Sequence, residues 1–402
     1  IILRYSQLGA LTVCTSVRIE KTSKQNEINL ANAKIIEINK ENTIKNIFDR
    51  RYNKRVIKKA VKSCDLLIIH TPDSVGDMAA RYAKRFSTPV LSVVIGCVWD
   101  SLWNHSWKGK LLAIPSFFNM KKTVKNADYV MYVTNRFLQN RYPTNGKHIG
   151  CSDVVIEENE TSVCEKRKER FAHLKKSDEI KIATIGGLGV SYKGQQYIIK
   201  ALKTLIRHGW NYHYYLIGGG DKKYLSRLAS RLGIEKHIHF LGTLKHDDIN
   251  NCLINMDIYA QPSKQEGLPR SVVEAMNTAI PCIGSDIGGI PELLPSELLF
   301  KKGNINAIIG LLEVEPSSWG KYVDYSFGKA KDFLPQVLNK RRNDFLEMIA
   351  SEITKRKGTE APKQIKSVME SYNRYVLNWD DPVVSRHHKN INNLVWYTDL
   401  SG

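Results

Sequence analysis

Paired cysteines are missing from this chain. Its 402 residues include seven cysteines, Cys14, Cys64, Cys97, Cys151, Cys164, Cys252 and Cys282. The number is odd and no two stand as Cys-x-x-Cys. Neither a disulfide framework nor a zinc site is therefore expected, and a reducing cytoplasm suits them. They read as small buried hydrophobes. Long apolar runs are missing too: no stretch approaches the roughly 20 apolar residues that cross a bilayer. The first residues carry Arg4 and Gln7 without a cleavage pattern, so no signal peptide is expected. No cluster of metal-ligating residues is visible. We expect neither a metal nor a resident cofactor.

Acid is scarce relative to base. Lys and Arg total 60 against 40 Asp and Glu, a net charge of +20. Such a field gathers anions. The basic runs are Arg50–Lys59, Lys166-Arg167-Lys168 and Lys340-Arg341-Arg342, and each read alone is a solvated helix face. No RNA-binding aromatic motif, helix-turn-helix or finger spacing accompanies them. An anionic membrane surface or a phosphorylated small molecule is therefore expected as partner, and nucleic acid is not.

What is present is a recurring unit: a short apolar run, a loop, then an amphipathic helix. This pattern gives βαβ units and a parallel sheet. The length suits two α/β domains. In the first half, strands are expected at Leu11–Ile19, Leu66–His70, Val90–Ile95 and Tyr129–Val133, with helices at Thr43–Ser63 and Asp77–Phe86. His70 and Asp73 close a strand and read as core and capping residues. The charged stretch Glu157–Ser177 reads as a linker. The expected division is 1–165, 166–355, and a C-terminal extension 356–402 whose role the sequence does not assign.

The second half is cleaner. Lys181–Ile185 reads as a strand ending in Gly186-Gly187. A helix from Gln195 carries Ile198, Ala201, Leu202 and Leu205 on one face and stops at Gly209. Tyr212–Ile217 is a strand closed by Gly218-Gly219-Gly220. A helix bearing Leu225 and Leu228 stops at Gly233. Strands follow at His237–Leu241, Asp257–Ala260 and Ile280–Gly284.

Chemistry concentrates in Glu266-Gly267-Leu268-Pro269-Arg270-Ser271-Val272-Val273-Glu274. Pro269 suits the first turn of a helix, where a missing N–H costs nothing. Glu266 then stands just before the helix and Glu274 about one turn inside it. Both carboxylates can reach the space above the helix end, where free N–H groups and a partial positive charge suit a diphosphate. Two glutamates eight apart are, by themselves, equally a surface helix. A second signal is Gly186-Gly187-Leu188-Gly189 through Lys193-Gly194. Its glycines let backbone approach a phosphate, and Lys193 supplies a charge to a leaving diphosphate.

The segment resembles the Glu-x7-Glu motif of family 4 retaining glycosyltransferases. The likeness covers about Ile180–Gly303, including Leu216-Ile217-Gly218-Gly219-Gly220, His239-Phe240-Leu241-Gly242 and the run Ile280–Glu292 with its Gly288-Gly289 loop. It implies an α/β chain of the GT-B fold: two Rossmann-like domains with parallel sheets facing across a cleft, and the nucleotide-sugar donor held in the second. By that resemblance Glu266 lies by the donor sugar and Glu274 binds the ribose hydroxyls. The backbone of Gly267 and Leu268 faces sugar and phosphates, with Pro269, Arg270, Gly187 and Gly218 also on the donor side. Lys193 joins Glu266 as the catalytic pair. The resemblance implies that the leaving phosphate takes the acceptor's proton. One departure stands out: such transferases have an Arg where Gly187 and Leu188 stand here, and Arg270 is a candidate replacement.

The acceptor side is expected in the first half. Its candidates are Asp100, Trp103 and His105, in the Trp- and His-rich segment Val98–Trp107, read as a loop after a strand. Aromatic faces stack on sugars while Asp and His bond hydroxyls. A loop packed on the core is the competing reading. The expected activity is transfer of a hexose from a nucleotide diphosphate, UDP in preference to GDP, to a saccharide or lipid-linked saccharide. The setting would be surface polysaccharide synthesis in the cytoplasm or at the inner membrane face. A nucleotide-sugar epimerase and a non-catalytic binding protein of the same fold remain as alternatives.

Overall fold

The computed structural model describes Tyr5 and residues 8–15, 33–38, 47–105, 107–356 and 394–397. Its elements in chain order begin with β1 (Leu11–Thr15), β2 (Ala33–Glu37), α1 (Ile47–Lys62), β3 (Leu66–Thr71), α2 (Ser74–Phe86) and β4 (Val90–Val94). Next come α3 (Val98–His105), α4 (Trp107–Lys125), β5 (Tyr129–Tyr132), α5 (Phe137–Arg141) and β6 (Lys147–Gly150). Then follow α6 (Ser162–His173), β7 (Ile180–Ile185), α7 (Gln195–Arg207), β8 (Tyr212–Ile217), α8 (Lys223–Leu232) and β9 (Ile238–Gly242). The last group is α9 (His246–Ile254), β10 (Ile258–Gln261), α10 (Arg270–Asn277), β11 (Cys282–Ser285), β12 (Leu299–Phe300), α11 (Ile305–Leu312), α12 (Val323–Ala330), α13 (Pro335–Arg356) and β13 (Leu394–Tyr397).

The chain divides into two compact units. One takes in Ile1–Val98, Ile114–Asp153 and Asn339–Gly402, the other Trp99–Ala113 and Val154–Leu338. The first unit's sheet runs β2-β1-β13-β3-β4-β5-β6, and every described pairing is parallel. β3, β4 and β5 are buried at every position. Parallel strands covered on both faces require such continuous apolar runs. Asp73 caps α2, its Oδ2 accepting from the N–H of Gly76 at 2.7 Å, and His70 is buried. Both match the expectation.

The second unit's sheet runs β12-β11-β10-β7-β8-β9, again parallel. Counted from β7 this is the order 3-2-1-4-5-6, and the direction of winding reverses between β7 and β10. A crevice opens at the carboxyl ends of the strands at such a switch point. Ile198, Ala201, Leu202 and Leu205 of α7 are fully buried as their spacing predicts, against Ile182, Tyr214 and Ile258 of the sheet. Gly233, at φ 67°, ends α8, and its N–H bonds the carbonyl of Ala229.

Several expectations change. The stretch read as a linker contains α6, which is packed into the second unit through Cys164 and Phe171. Its Arg167 is buried and donates to the carbonyls of Thr278 at 3.1 Å, Ile254 at 3.0 Å, and Met256. One inward guanidinium satisfied by carbonyls turns a charged-looking segment into core. The segment read as a loop at Val98–Trp107 is helical: α3, then the start of α4. Two strands, β2 and β6, escape the apolar pattern because their exposed or half-exposed residues do not form an apolar run. The first unit also draws on the far end of the chain. Asn339 onward belongs to it. Arg342 of α13 is buried and donates to the carbonyl of Ser152 at 2.9 Å. Leu394–Tyr397 forms β13, between β1 and β3. The last four residues expected in the first strand, 16–19, lie outside the described residues.

Candidate functional site

Two loops leave the switch point, one after β7 and one after β10, and their backbones are locked together. Gly194 has φ 77°, and a Cβ there would lie 1.8 Å from the carbonyl oxygen of Pro262. Only glycine accepts both the conformation and the contact. Next to it the Lys264 N–H bonds the carbonyl of Tyr192 at 2.7 Å. This clasp brings Lys193 and Glu266 together, with Nζ 2.8 Å from Oε1 and both side chains largely buried.

Glu266 is held by more than the lysine. Its Oε1 also accepts from Gln261 Nε2 at 2.9 Å and Ser263 Oγ at 2.7 Å. Gln261 is fixed in turn, its Oε1 accepting from the Tyr259 hydroxyl at 2.8 Å and Ser271 Oγ at 3.1 Å. Gln261 and Ser263 have no exposed surface. All three donors converge on one oxygen. Among the described residues no hydrogen bond to Oε2 is present, which leaves that oxygen as an acceptor for a ligand hydroxyl.

A second clasp comes from the loop after β11. Gly288 has φ 58°, and a Cβ there would sit 2.2 Å from the Glu266 carbonyl oxygen. The Gly289 N–H bonds the Gly267 carbonyl at 2.7 Å. Gly267 and Leu268 are thus pinned at the mouth of α10. Pro269 directly precedes that helix, whose first residue is Arg270. Glu274 lies one turn in, and Arg270 Nε donates to its Oε1 at 2.8 Å. The Glu274 side chain is mostly buried while Arg270 is exposed.

The glycine-rich strand ends pack against each other. A Cβ on Gly218, at φ 146°, would meet the Gly186 carbonyl oxygen at 2.3 Å. Gln195 Nε2 bonds the Gly187 carbonyl at 3.1 Å. Leu188 is buried, so the position where an Arg was expected carries no cation. Lys193 is the cation that the β7 loop supplies.

Gly187 and Lys193 lie in the loop after β7, Glu266–Pro269 in the loop after β10, Arg270 and Glu274 in the first five residues of α10, and Gly218 directly after the neighbouring strand β8. Asp100 and Trp103 lie on α3, where Asn104 Nδ2 donates to the Asp100 carbonyl at 2.9 Å. Trp103 stacks on Trp99 with ring centroids 5.0 Å apart. His105 ends that helix, and its side chain is outside the described residues. Sequence reasoning missed Gln261 and Ser263 as supports of Glu266, although two buried polar residues directly after a strand are the signal. It also missed why Gly194 and Gly288 are needed.

Residues 165–313 match the model of the family described as glycosyl transferases group 1. The chain is 33% identical over 257 residues to protein CapJ of Staphylococcus aureus, covering 63% of this chain and 63% of CapJ. It is 29% identical over 130 residues to the amylovoran biosynthesis glycosyltransferase AmsK of Erwinia amylovora, covering 30% of this chain and 32% of AmsK. The chain thus spans less than two thirds of either relative. Among solved structures, HepE of Anabaena in complex with UDP superposes with a TM-score of 0.59 at 14% identity, over 84% of this chain and 100% of HepE. Sucrose-phosphate synthase of Thermosynechococcus elongatus gives a TM-score of 0.62 at 13% identity, over 87% of this chain and 93% of that one. The fold is GT-B. The matched segment 165–313 contains Gly187, Lys193, Gly218, Glu266–Arg270 and Glu274, while Asp100, Trp103 and His105, which the division of the chain also assigns to the second unit, lie outside it.

Proposed function

We propose that this GT-B chain is a retaining glycosyltransferase that moves a hexose from a UDP-sugar to a saccharide or lipid-linked saccharide acceptor. One observation carries the reading. At the switch point a buried carboxylate, Glu266, is fixed by three donors beside Lys193, and a second carboxylate, Glu274, stands one turn into the helix that begins there. A nucleotide sugar needs this combination of acceptors for hydroxyls and cationic or N–H groups for phosphate.

In this reading the diphosphate lies over the start of α10 and Glu274 accepts the ribose hydroxyls. Glu266 orients the sugar through Oε2. Lys193, paired with Glu266 before the donor arrives, turns its charge to the phosphate as the glycosidic bond breaks. The bond from the anomeric carbon to the phosphate oxygen breaks while a bond to the acceptor oxygen forms on the same face. The acceptor's proton passes to the leaving phosphate, so the donor departs as UDP. Asp100 and Trp103 are candidates for acceptor contact. The names of AmsK, an amylovoran biosynthesis enzyme, and of the HepE complex with UDP support polysaccharide synthesis and the choice of nucleotide.

The test is thermal shift with UDP, GDP, ADP and their sugar conjugates on wild type, Glu274→Ala and Glu266→Gln, followed by UDP release with and without acceptor. A ligand at 100 times its Kd stabilises by about 2.7 kcal/mol. We expect a UDP-specific shift that Glu274→Ala removes and Glu266→Gln keeps, with turnover in Glu266→Gln down about 100-fold or more. Donor isomerisation without UDP release would indicate an epimerase instead, and binding without either reaction a non-catalytic protein.

A further inference from the structure

At the opposite end of β8 from Gly218, three histidines gather on the edge of the second unit's sheet. His213 lies on β8, His239 on β9 and His237 just before β9. β9 stands last in that sheet's order. Of its five residues only Ile238 is buried, with Phe240 packed partly against the core. Few apolar side chains therefore anchor it. The His213 and His239 rings stack at 15° with centroids 5.2 Å apart, and Tyr215 stacks on His239 at 4.5 Å. His213 Nδ1 lies 2.9 Å from His239 Nε2, a hydrogen bond that joins the two strands.

The protons of this pair can be counted. Asn211 Nδ2 donates to the Ser177 carbonyl, which turns Oδ1 towards His213 Nε2 at 3.2 Å. An amide oxygen only accepts, so His213 Nε2 is the donor there. In the neutral ring Nδ1 then accepts, and His239 Nε2 donates to it. One further proton fits on His239 Nδ1 without touching this bond. A second sets N–H against N–H across the same 2.9 Å, and the rings must part.

The surroundings hold protons off until acid pH. Burial lowers the pKa of both rings from the ordinary 6.5. Glu179 opposes this, its Oε1 lying 4.0 Å from His213 Nδ1. The Tyr215 hydroxyl donates to Glu179 at 2.7 Å and keeps it anionic. His237 adds to the lowering, its ring centroid 4.7 Å from that of His213, and Lys181 of β7 does so at His213. Behind them Asp257 and Cys252 act on Tyr215. The unfolded chain takes protons that the folded pair refuses. The pair's contribution to stability is therefore complete above 6.5 and is lost as pH falls through the lowered values.

The far end of β9 reaches the donor side. The Gly218 N–H bonds the Gly242 carbonyl at 2.8 Å. A Cβ on Gly219 would meet Thr243 Oγ1 at 2.8 Å. A shift of β9 on β8 is thus felt by the glycine turn after β8. We propose that His213 and His239 form an acid-released latch that holds the edge strand β9 on β8 and keeps the Gly218 turn in its donor-binding form. The latch stands on the histidine geometry, and only its effect on donor affinity rests on the transferase reading.

The experiment is amide hydrogen exchange of the full chain between about pH 7.5 and about pH 5, corrected for the pH dependence of exchange itself, with UDP titrations alongside. Wild type is compared with His213→Asn/His239→Gln, which keeps an acceptor and a donor near the same places but cannot titrate. The second variant is His237→Asn, which keeps a donor for the Tyr212 carbonyl that His237 Nδ1 meets at 3.0 Å. We expect protection over His239–Gly242 to fall about tenfold or more on acidification in wild type and to stay level in the double variant. UDP affinity should fall severalfold in wild type alone. In His237→Asn the fall should begin at higher pH, because one repelling charge is gone. A packing role would not move that midpoint, so this variant decides alone if the double variant melts early at neutral pH. Equal falls in wild type and double variant overturn the latch. So does protection lost evenly over β7, β8 and β9. A latch that opens with UDP affinity unchanged overturns its coupling to the donor turn. Wild type that binds no UDP at neutral pH sinks the transferase reading, and the exchange result still decides the latch.

Discussion

Two helices in this chain use their apolar residues in opposite ways. In α10, Val272, Val273, Ala275 and Met276 are all fully buried. The helix is therefore fixed on its apolar sides, and Arg270, Ser271 and Glu274 lie in its first five residues. In α4 the inner face is equally buried, but a second apolar row faces outward. The first arrangement holds polar atoms still, as binding and chemistry require. The second leaves apolar side chains exposed.

The sharpest way to break the α10 side of this comparison is Gly194→Val. A β-branched residue at φ 77° with its Cβ 1.8 Å from the Pro262 carbonyl oxygen cannot be housed. The loops after β7 and β10 would separate. We expect a loss of about 3 kcal/mol or more in stability and no UDP-induced thermal shift. Gly310→Ala in α11 is the matched control. Nothing lies within 4 Å of a Cβ there, and removing a helix glycine should stabilise by about 0.5–1 kcal/mol. If both substitutions behave alike in a melt, the clasp is not what builds the site.

Ser263→Ala is the next largest. It removes one of the three donors to Glu266 Oε1 and leaves Lys193 and Gln261 in place. Turnover should fall about tenfold, in line with the 0.5–1.5 kcal/mol of a single hydrogen bond, while UDP affinity stays near wild type. A drop in affinity with unchanged turnover would mean that Ser263 positions the nucleotide rather than the sugar-side carboxylate.

The same contrast explains what could be read from the sequence. The parallel sheets, α7, α8 and the Glu266–Glu274 segment were legible, because each depends on spacing along the chain. The packing of α6 was not, because a single buried guanidinium, Arg167, reverses the meaning of a charged run. The outward ridge of α4 was not either. Trp103 and Trp107 drew attention as sugar-stacking residues in a loop, and only the helix phase separates Trp107 from the buried row. Gln261 and Ser263 stand only five and three residues before Glu266, but spacing does not show that the turn folds their donors back onto its carboxylate. The place of β13 in the first unit's sheet joins residues from opposite ends of the chain, which local patterning cannot show.

The smallest effect concerns how α4 is held so that its ridge points outward. Burial raises the pKa of Asp77 above its ordinary 3.8, opposed by the hydrogen bond from Thr123, by Arg81 and by the hydrogen bond from Asn119. A carboxyl whose folded pKa is raised binds more protons when folded than when unfolded between the two values, so its contribution to stability falls as pH rises through that window. Asp77→Asn removes the titration and keeps an oxygen acceptor. The melting temperature of wild type minus that of the variant should therefore grow as pH is lowered from neutral towards 3.8, and level off below it. The general acid weakening of the protein cancels in this difference. A flat difference would mean that Asp77 is effectively solvated and that Asn119 and Thr123 do not fix the helix. In that case the phase of α4 is set by Ala113, Met120 and Val124 alone.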